Sequence, residues 1–291
     1  MVTDRPFLRV ATMNVLGPAN PDWQRRRRVL AEGLQALQAD VVGLQEVPIG
    51  STPEILEELL GDGYHVRGFS RTAEDGVGAA VATRLPHQVV GEVDQHCTLR
   101  SRDFPWCATL LLRVKASVGL VLVAHHKPSW QFGYELEREQ QALRAAQAIE
   151  DNVGDAHAVV FGDFDATPDA SSMQFWRGRR SLDGISVCYQ DAWETVHPTE
   201  PGFTFSAENP LVRAGEVATA VSRRIDYVLV RCGAHGPTLQ VRSCECILDQ
   251  PVDGVWASDH FGVVADLAVP DHPPGSWRPS APADGRGDEH R

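Results

Sequence analysis

Acidic and imidazole side chains recur along this sequence directly beside runs of apolar residues. In the segment Gly162-Asp163-Phe164-Asp165, two carboxylates follow the apolar run 158–161. Side chains two residues apart on an extended backbone point to the same side, and two like charges so placed need a cation, hydrogen-bond donors or a proton. The segment therefore indicates a metal or reaction site, with an Asp-capped turn as an equally weighted alternative.

Glu46 and Asn14 also follow apolar runs, at 41–44 and 7–11. A carboxylate at the C-terminal end of a buried strand lies where open sheets bind ligands, and its oxygens suit Mg²⁺. Taken singly, such a Glu is more often a surface residue and such an Asn an ordinary turn residue. Only the combination of the two with other sites carries weight.

Asp226 lies in the apolar segment 224–229, and Asp259-His260 comes just before the last apolar run. A carboxylate among apolar residues is costly unless it is paired. His260 is a suitable partner, because a carboxylate on one ring nitrogen fixes the tautomer and leaves the other nitrogen for a phosphate or water. A core histidine satisfied by a buried Asp is the structural alternative.

The elements that must position these side chains follow from periodicity and turn residues. The pattern predicts helices from Trp23 with Asp22 as cap, over Thr52–Leu60 and over Tyr134–Asp151, the last with Leu136, Ala142, Leu143, Ala146 and Ile149 facing inward. It predicts antiparallel strands near 78–83, 88–93, 107–114 and 118–124, and later strands at 225–231, 239–247 and 261–268. Helices that frame β-rich halves favour stacked layers with mixed sheets.

Length and charge limit the partners. The chain has 291 residues, 43% of them hydrophobic, and a net charge of −12. We expect one domain over 1–269 and a disordered Pro/Gly-rich tail over 270–291. Extended duplex DNA is disfavoured because a duplex binder needs a basic surface, and the arginine run 25–28 is interpreted as a solvated helix start.

Cysteine usage and hydropathy bear on the location of the protein. The six cysteines form no CxxC pair, and residues 1–5 lack the apolar stretch of a signal peptide. We therefore expect a reduced, cytoplasmic protein without a transmembrane segment. The sequence leaves the oligomeric state open.

Taken in order, Asn14, Gln45-Glu46, His125, Gly162-Asp163-Phe164-Asp165, Arg224-Ile225-Asp226-Tyr227 and Ser258-Asp259-His260 resemble the motifs of the endonuclease/exonuclease/phosphatase family, the deoxyribonuclease-I-like hydrolases. Arg138 with Gln141 and the segment 202–205 add lesser matches. The resemblance covers residues 7–269. It implies an α/β fold, a four-layer α/β/β/α sandwich of two packed mixed β-sheets, and metal-dependent hydrolysis of a phosphoester at one edge of the sheets.

The resemblance also implies roles for single residues. The catalytic residues would be His125, Asp163, Asp226 and His260; the metal ligands Glu46, Asn14, Asp259 and Asp165; and the substrate-binding residues Asn14, His125, His126, Lys127 and Trp130. The cofactor would be Mg²⁺, replaceable by Mn²⁺, with a second divalent cation as a possibility. Whether Asp163 or His260 takes the proton from water stays open.

This sequence departs from the family at three places. Asp165 stands where the family usually has Asn, and we expect it to bind metal rather than to stay protonated or repel substrate. Leu16 replaces an acidic residue of the abasic-site nucleases, which counts against DNA repair. His126 and Lys127 stand where the family commonly has a leucine and a shorter loop. In this chain the loop also carries Trp130 and Phe132, which would stack on a base, ring or lipid or simply pack on the sheet edge.

We therefore expect a phosphoesterase, most simply a phosphodiesterase, for a phosphorylated small molecule, a lipid headgroup or a single-stranded nucleic acid. A DNA or RNA nuclease is the alternative within the same class. A family member that has lost catalysis and only binds a phosphorylated ligand or partner protein is the alternative from another class.

Overall fold

The computed structural model describes residues 6–49 and 53–277. The strands are β1 (Phe7–Asn14), β2 (Val41–Pro48), β3 (His65–Gly68), β4 (Val77–Thr83), β5 (His87–Asp94), β6 (Ala108–Ala116), β7 (Gly119–Lys127), β8 (His157–Asp163), β9 (Tyr189–Asp191), β10 (Asp226–Gly233), β11 (Gly236–Pro237), β12 (Gln240–Ile247) and β13 (Gly262–Ala268). The helices are α1 (Trp23–Leu37), α2 (Pro53–Leu60), α3 (Glu135–Val153), α4 (Ser171–Trp176), α5 (Ala192–Val196) and α6 (Pro210–Ala214).

The strands form two mixed sheets. Within the described residues the first sheet has the order β12-β13-β1-β2-β4-β3, and the second has the order β11-β10-β8-β7-β6-β5, with β9 paired to β10. In the first sheet β1 is parallel to β2 and antiparallel to β13. In the second, β8 is parallel to β7 and antiparallel to β10. The C-terminal ends of β1 and β8 therefore share an edge with the starts of β10 and β13.

Three apolar clusters hold the layers together. The first lies between the sheets and contains Val10, Val41, Val123, Val159 and Val263, among others. A second joins the outer face of the first sheet to α1 and α2, and a third joins the outer face of the second sheet to α3 and α4. Burial of these alternating strand faces is the main force for stacking. The predicted four-layer α/β/β/α sandwich is thus confirmed.

Most predicted elements are present with ends moved by a few residues. Helix α1 begins at Trp23 as predicted, but Asp22 makes no side-chain cap hydrogen bond. In α3, Ala142, Ala146 and Ile149 are buried, whereas Leu136 is 55% exposed, so its predicted inward orientation is wrong. The stretch 178–221, for which the sequence pattern predicted no helix or strand, holds β9, α5 and α6.

The arginine run is not uniformly solvated. Arg25 and Arg28 are exposed, but Arg26 is buried to 1% exposure, so the prediction of a solvated run is wrong for this residue. The predicted disordered tail falls largely on residues 278–291, which lie outside the described residues. Of the helices in the described ranges, none is long and apolar enough to cross a bilayer.

Candidate active site

Asn14 connects the two sheets at their shared edge. It is the last residue of β1, and its side chain is buried. Its Nδ2 donates to Oε1 of Glu46 at 3.0 Å and to Oδ2 of Asp163 at 3.1 Å, while its Oδ1 accepts from the amide of Leu16 at 3.0 Å. The amide therefore fixes a carboxylate of each sheet in relation to the other.

Glu46 reaches the site through a β-bulge. The register of β2 against β4 shifts between Gln45 and Val47, and Glu46 has φ +59°. A bulged residue in this left-handed region re-aims its side chain at a cost of about 1–3 kcal/mol. Burial and the nearby Asp259 carboxylate raise the pKa of Glu46. The bulge thus brings two acids close together, and a cation between them would relieve their repulsion.

Asp163 and Asp165 converge on Lys127. The ammonium lies 2.8 Å from Oδ2 of Asp163 and also donates to Asp165. Burial disfavours the charged ammonium, but the two carboxylates outweigh it and raise the pKa of Lys127. Burial likewise opposes ionisation of Asp163, yet Lys127 and His260 lower its pKa to about 2. Burial and Asp163 raise the pKa of Asp165, and Lys127 supplies the positive charge beside its carboxylate.

The Gly162 position allows β8 to deliver Asp163 next to β7. Gly162 has φ +147°, and a Cβ there would meet the carbonyl oxygen of His126 at 2.2 Å. Any other residue would push the two strands apart. The glycine in Gly162-Asp163 is therefore required by close approach of the backbones.

Asp226 and His260 form a buried carboxylate–imidazole pair in the site. Oδ2 of Asp226 lies 3.0 Å from Nδ1 of His260, and both residues are buried. Thr204 Oγ1 accepts from the amides of Ile225 and Asp226, which fixes the start of β10. Burial disfavours the imidazolium, but the charges of Asp226 and Asp163 outweigh it and raise the pKa of His260. Burial also raises the pKa of Asp226, in spite of His260.

The Asp226–His260 pair lies next to Asp163. Asp226 is the register partner of Asp163, and ligand atoms of Asp163, Asp226 and His260 all lie within 4.8 Å of one another. Oδ1 of Asp226 is buried and has no hydrogen-bond partner among the described residues. An orphaned carboxylate oxygen of this kind is costly without a water or cation. A divalent cation with oxygen ligands therefore fits this edge, where the Glu46 and Asp259 carboxylates also lie close together.

Arg26 ties together the two loops that carry the metal-ligand candidates. Its Nη1 donates to the carbonyl oxygens of Val15 at 2.9 Å and Ala257 at 3.2 Å, and Nη2 donates to that of Leu16 at 2.6 Å. Val15 follows Asn14, and Ala257 precedes Ser258-Asp259-His260. Burial lowers the pKa of Arg26, against the attraction of Asp259 and Glu46. No feature of the arginine run 25–28 distinguishes this arginine from its neighbours before the structure is known.

His125 and His126 point to opposite faces of β7. The His125 ring stacks on Phe161 between the sheets, and its Nε2 lies 2.5 Å from Nε2 of Gln45. A Cβ at Gly43 would come within 3.1 Å of that ring. His126 lies on the helical side, where Nδ1 contacts Thr109 Oγ1 at 2.7 Å and the ring meets Trp176 edge-on. Burial lowers the pKa of each histidine to about 3.

These positions correct part of the expected substrate-binding set. His126 lies in the core beneath α4, so the prediction that it binds substrate does not fit the structure. Lys127 is buried, and two carboxylates already share its ammonium. Its charge is therefore not free to bind a substrate anion. His125 is also fully buried, although its Nδ1 has no hydrogen-bond partner within residues 6–49 and 53–277. Trp130 is 41% exposed and remains a predicted contact.

Helix α3 holds the loop that contains Trp130. Arg138 Nη1 donates to the carbonyl oxygens of Ser129 at 3.1 Å and Gln131 at 2.8 Å. Gln141 bonds both the amide and the hydroxyl of Ser129. The lesser motif of Arg138 and Gln141 therefore has a physical role, which is to fix the aromatic loop that follows β7.

Comparisons with known proteins agree with this geometry. A model of the Endonuclease/Exonuclease/phosphatase family matches residues 11–260. Zebrafish (D. rerio) TDP2 in complex with single strand DNA product shares 18% identity with a TM-score of 0.70, over 91% of this chain and 100% of that one. The human Nocturnin catalytic domain with bound sulfate anion shares 20% identity with a TM-score of 0.63, over 91% and 96%. No curated protein matches the sequence.

Proposed function

Because the chain belongs to the endonuclease/exonuclease/phosphatase family, whose members hydrolyse phosphoric esters, we propose that it is a Mg²⁺-dependent phosphodiesterase for a small or single-stranded phosphorylated substrate. The observation that carries this proposal is the meeting of Asp163, Asp226 and His260 within 4.8 Å. This cluster lies beside the hydrogen bond from Asn14 to Glu46. Acid, base and metal-ligand groups are thereby combined at one edge of the sandwich.

Glu46, Asn14 and Asp259 would hold the metal. Burial and the nearby Asp259 carboxylate raise the pKa of Glu46, and Asn14 offers an amide that already contacts Glu46. Carboxylate and amide oxygens favour Mg²⁺, and Mn²⁺ suits the same ligands. A bound cation would polarise the phosphoryl oxygen and offset charge on the leaving group. We do not assign Asp165 to this set, because Lys127 supplies the cation that its charge needs.

The remaining groups would position the substrate and the attacking water. Asp226 holds His260 through Nδ1, which leaves Nε2 to donate to a phosphate oxygen or to the leaving oxygen. The raised pKa of His260 favours this donor role at neutral pH. Asp163 stays ionised because its pKa is lowered to about 2, and it would accept a hydrogen bond from water and orient it for in-line attack.

The net charge and the aromatic loop support the substrate class. A charge of −12 opposes binding along extended duplex DNA but matters less for a short anionic substrate near a metal. The exposed faces of Trp130 and Phe132 suit stacking on a base or other ring. Structures of similar fold have been solved with single strand DNA product and with sulfate. These observations favour single-stranded nucleic acid or a nucleotide over a lipid headgroup.

The test is a substrate panel with purified protein and Mg²⁺ or Mn²⁺. It comprises bis(p-nitrophenyl) phosphate, p-nitrophenyl phosphate, single-stranded oligonucleotides and plasmid DNA. We expect metal-dependent turnover of the diester and the oligonucleotides, abolished by EDTA, by Glu46→Gln and by His260→Gln. Glu57→Gln, the same change at an exposed position of α2, is the matched control. Turnover of plasmid alone would contradict the substrate class and favour a duplex nuclease.

Complete lack of metal-dependent turnover would instead favour the alternative of a binding protein without catalysis. The same panel measured as equilibrium binding, with EDTA and with Mg²⁺, would then identify its ligand.

We also infer a reducing compartment, which the cytoplasm would provide. All six cysteines, which lie within the described residues, are free thiols. Thiol titration of protein isolated without reductant should give six reactive groups after unfolding in denaturant. A lower number would indicate disulfides and contradict this inference.

A further inference from the structure

The Arg223 side chain lies between two aromatic rings near the candidate active site. Its guanidinium carbon is 4.6 Å from the centre of the Phe132 ring and 5.2 Å from that of Phe205. Phe132 belongs to the loop after β7, whereas Phe205 belongs to the segment before α6. The guanidinium therefore connects two loops that surround the site.

Phe205 links Arg223 to the catalytic pair. The amide of Phe205 donates to the carbonyl of Arg223 at 3.0 Å, and the amide of Arg223 donates back at 2.8 Å. On its other side Phe205 forms a β-bridge with His260, and the two rings meet edge-on at 5.1 Å. Only one ring thus separates the guanidinium from the imidazole that would contact the scissile phosphate.

The charge of Arg223 has no acidic partner in the part of the chain that the structure describes. Among the described residues, no carboxylate lies within ion-pair distance of its guanidinium, and its Nε is buried without a hydrogen-bond partner. The neighbouring Arg224, by contrast, is paired with Asp191 at 2.6 Å. Rings that cover the faces of a guanidinium leave its in-plane N–H groups for an anion. In a chain of net charge −12, an unpaired arginine beside the site is a specific feature.

We propose that Arg223 binds a second phosphate of the substrate, adjacent to the scissile one, and that Phe132 stacks on the intervening nucleoside. Phe132 is 59% exposed, so much of its ring is available to a base. This inference rests on the proposed function and narrows the substrate class to nucleotides with at least two phosphates. The second phosphate is either a terminal group or an internal one of a single strand.

The experiment compares substrates with and without that phosphate. Wild type, Arg223→Gln, Arg223→Lys and Phe132→Ala are assayed on TpT, 5′-phosphorylated pTpT, TpTpT and bis(p-nitrophenyl) phosphate. We expect Arg223→Gln to raise KM about tenfold more for pTpT or TpTpT than for TpT, as loss of one charge-assisted contact predicts. Arg223→Lys should reverse part of this rise in KM. Phe132→Ala should raise KM for all three nucleotide substrates. The pTpT and TpTpT arms distinguish a terminal from an internal phosphate.

Arg242→Gln, which removes one arginine charge on β12, is the matched control and should behave as wild type on every substrate. An equal effect of Arg223→Gln on all four substrates, or a fall in kcat alone, would overturn the proposal and leave Arg223 as a support for Phe205 and His260. Binding of pTpT in EDTA, compared between wild type and Arg223→Gln, is the readout that does not need turnover. Weaker binding in the variant supports the subsite even if the proposed catalysis fails, and equal binding overturns it.

Discussion

The ammonium of Lys127 lies 2.8 Å from Oδ2 of Asp163. It also donates to Asp165, and all three side chains are at most 10% exposed. In the family that the sequence resembles, a shorter loop commonly begins where Lys127 stands, and an Asn usually occupies the position of Asp165. Lys127 and Asp165 are thus two departures that meet in space and neutralise each other.

Replacement of Lys127 by Met should destabilise the protein by about 3–5 kcal/mol, because it leaves two buried acids without their cation. Adding Asp165→Asn should recover part of this loss, since one of those charges is then removed. The measurement is urea unfolding in EDTA for the two single variants and the double variant. Lys115→Met is the control, because Lys115 is the chain's other lysine and is exposed. Additive effects of the two substitutions would contradict this coupling.

Apolar runs of strand length and the turn residues between them predicted stacked layers with mixed sheets, and the family resemblance implied the four-layer α/β/β/α sandwich. The resemblance also implied that Asn14, Glu46, Asp163, Asp226 and His260 meet, and in the structure the ends of their strands share one edge. The sequence could not predict the partner of Asp165, because Lys127 lies 38 residues away and its side-chain direction depends on the twist of β7. The face to which His126 points depends on that same register.

Arg26→Met should lower both stability and activity. Its guanidinium donates to the carbonyl oxygens of Val15 and Ala257. A buried carbonyl that loses its donor costs about 1–3 kcal/mol of stability. We expect a loss of about 3 kcal/mol in urea unfolding, together with weaker Mn²⁺ binding, because Asn14 and Asp259 are no longer held in place. Arg28→Met, at an exposed position of the same helix, should stay within about 0.5 kcal/mol of wild type. A similar loss in both variants would mean that the effect is one of helix charge.

Asn14→Leu should weaken metal binding. The amide orients Glu46 and Asp163, and loss of an orienting group of this kind typically costs about 10–100-fold in metal affinity. Mn²⁺ titration followed by electron paramagnetic resonance measures this directly. Asn152→Leu, near the end of α3, is the control. Unchanged Mn²⁺ affinity in Asn14→Leu would place the metal away from Glu46.

The unfolding free energy should fall as the pH decreases from about 6.5 towards 3. Burial lowers the pKa of His126 to about 3 in the folded state, whereas an unfolded histidine titrates near 6.5. The unfolded chain therefore binds more protons in this range, so the contribution of His126 is complete above about pH 6.5 and is lost as the pH falls.

The slope from one such histidine is about 1.4 kcal/mol per pH unit. Urea unfolding in EDTA at pH 4.5–7.5 should show this extra slope in wild type relative to His126→Gln, because glutamine cannot take up the proton. His235→Gln, which replaces an exposed histidine, should keep the wild-type slope. Parallel pH profiles for wild type and His126→Gln would mean that His126 is protonated in the folded protein. Its place against Trp176 and Thr109 would then be wrong, since a buried imidazolium there has no carboxylate partner in the described part of the chain.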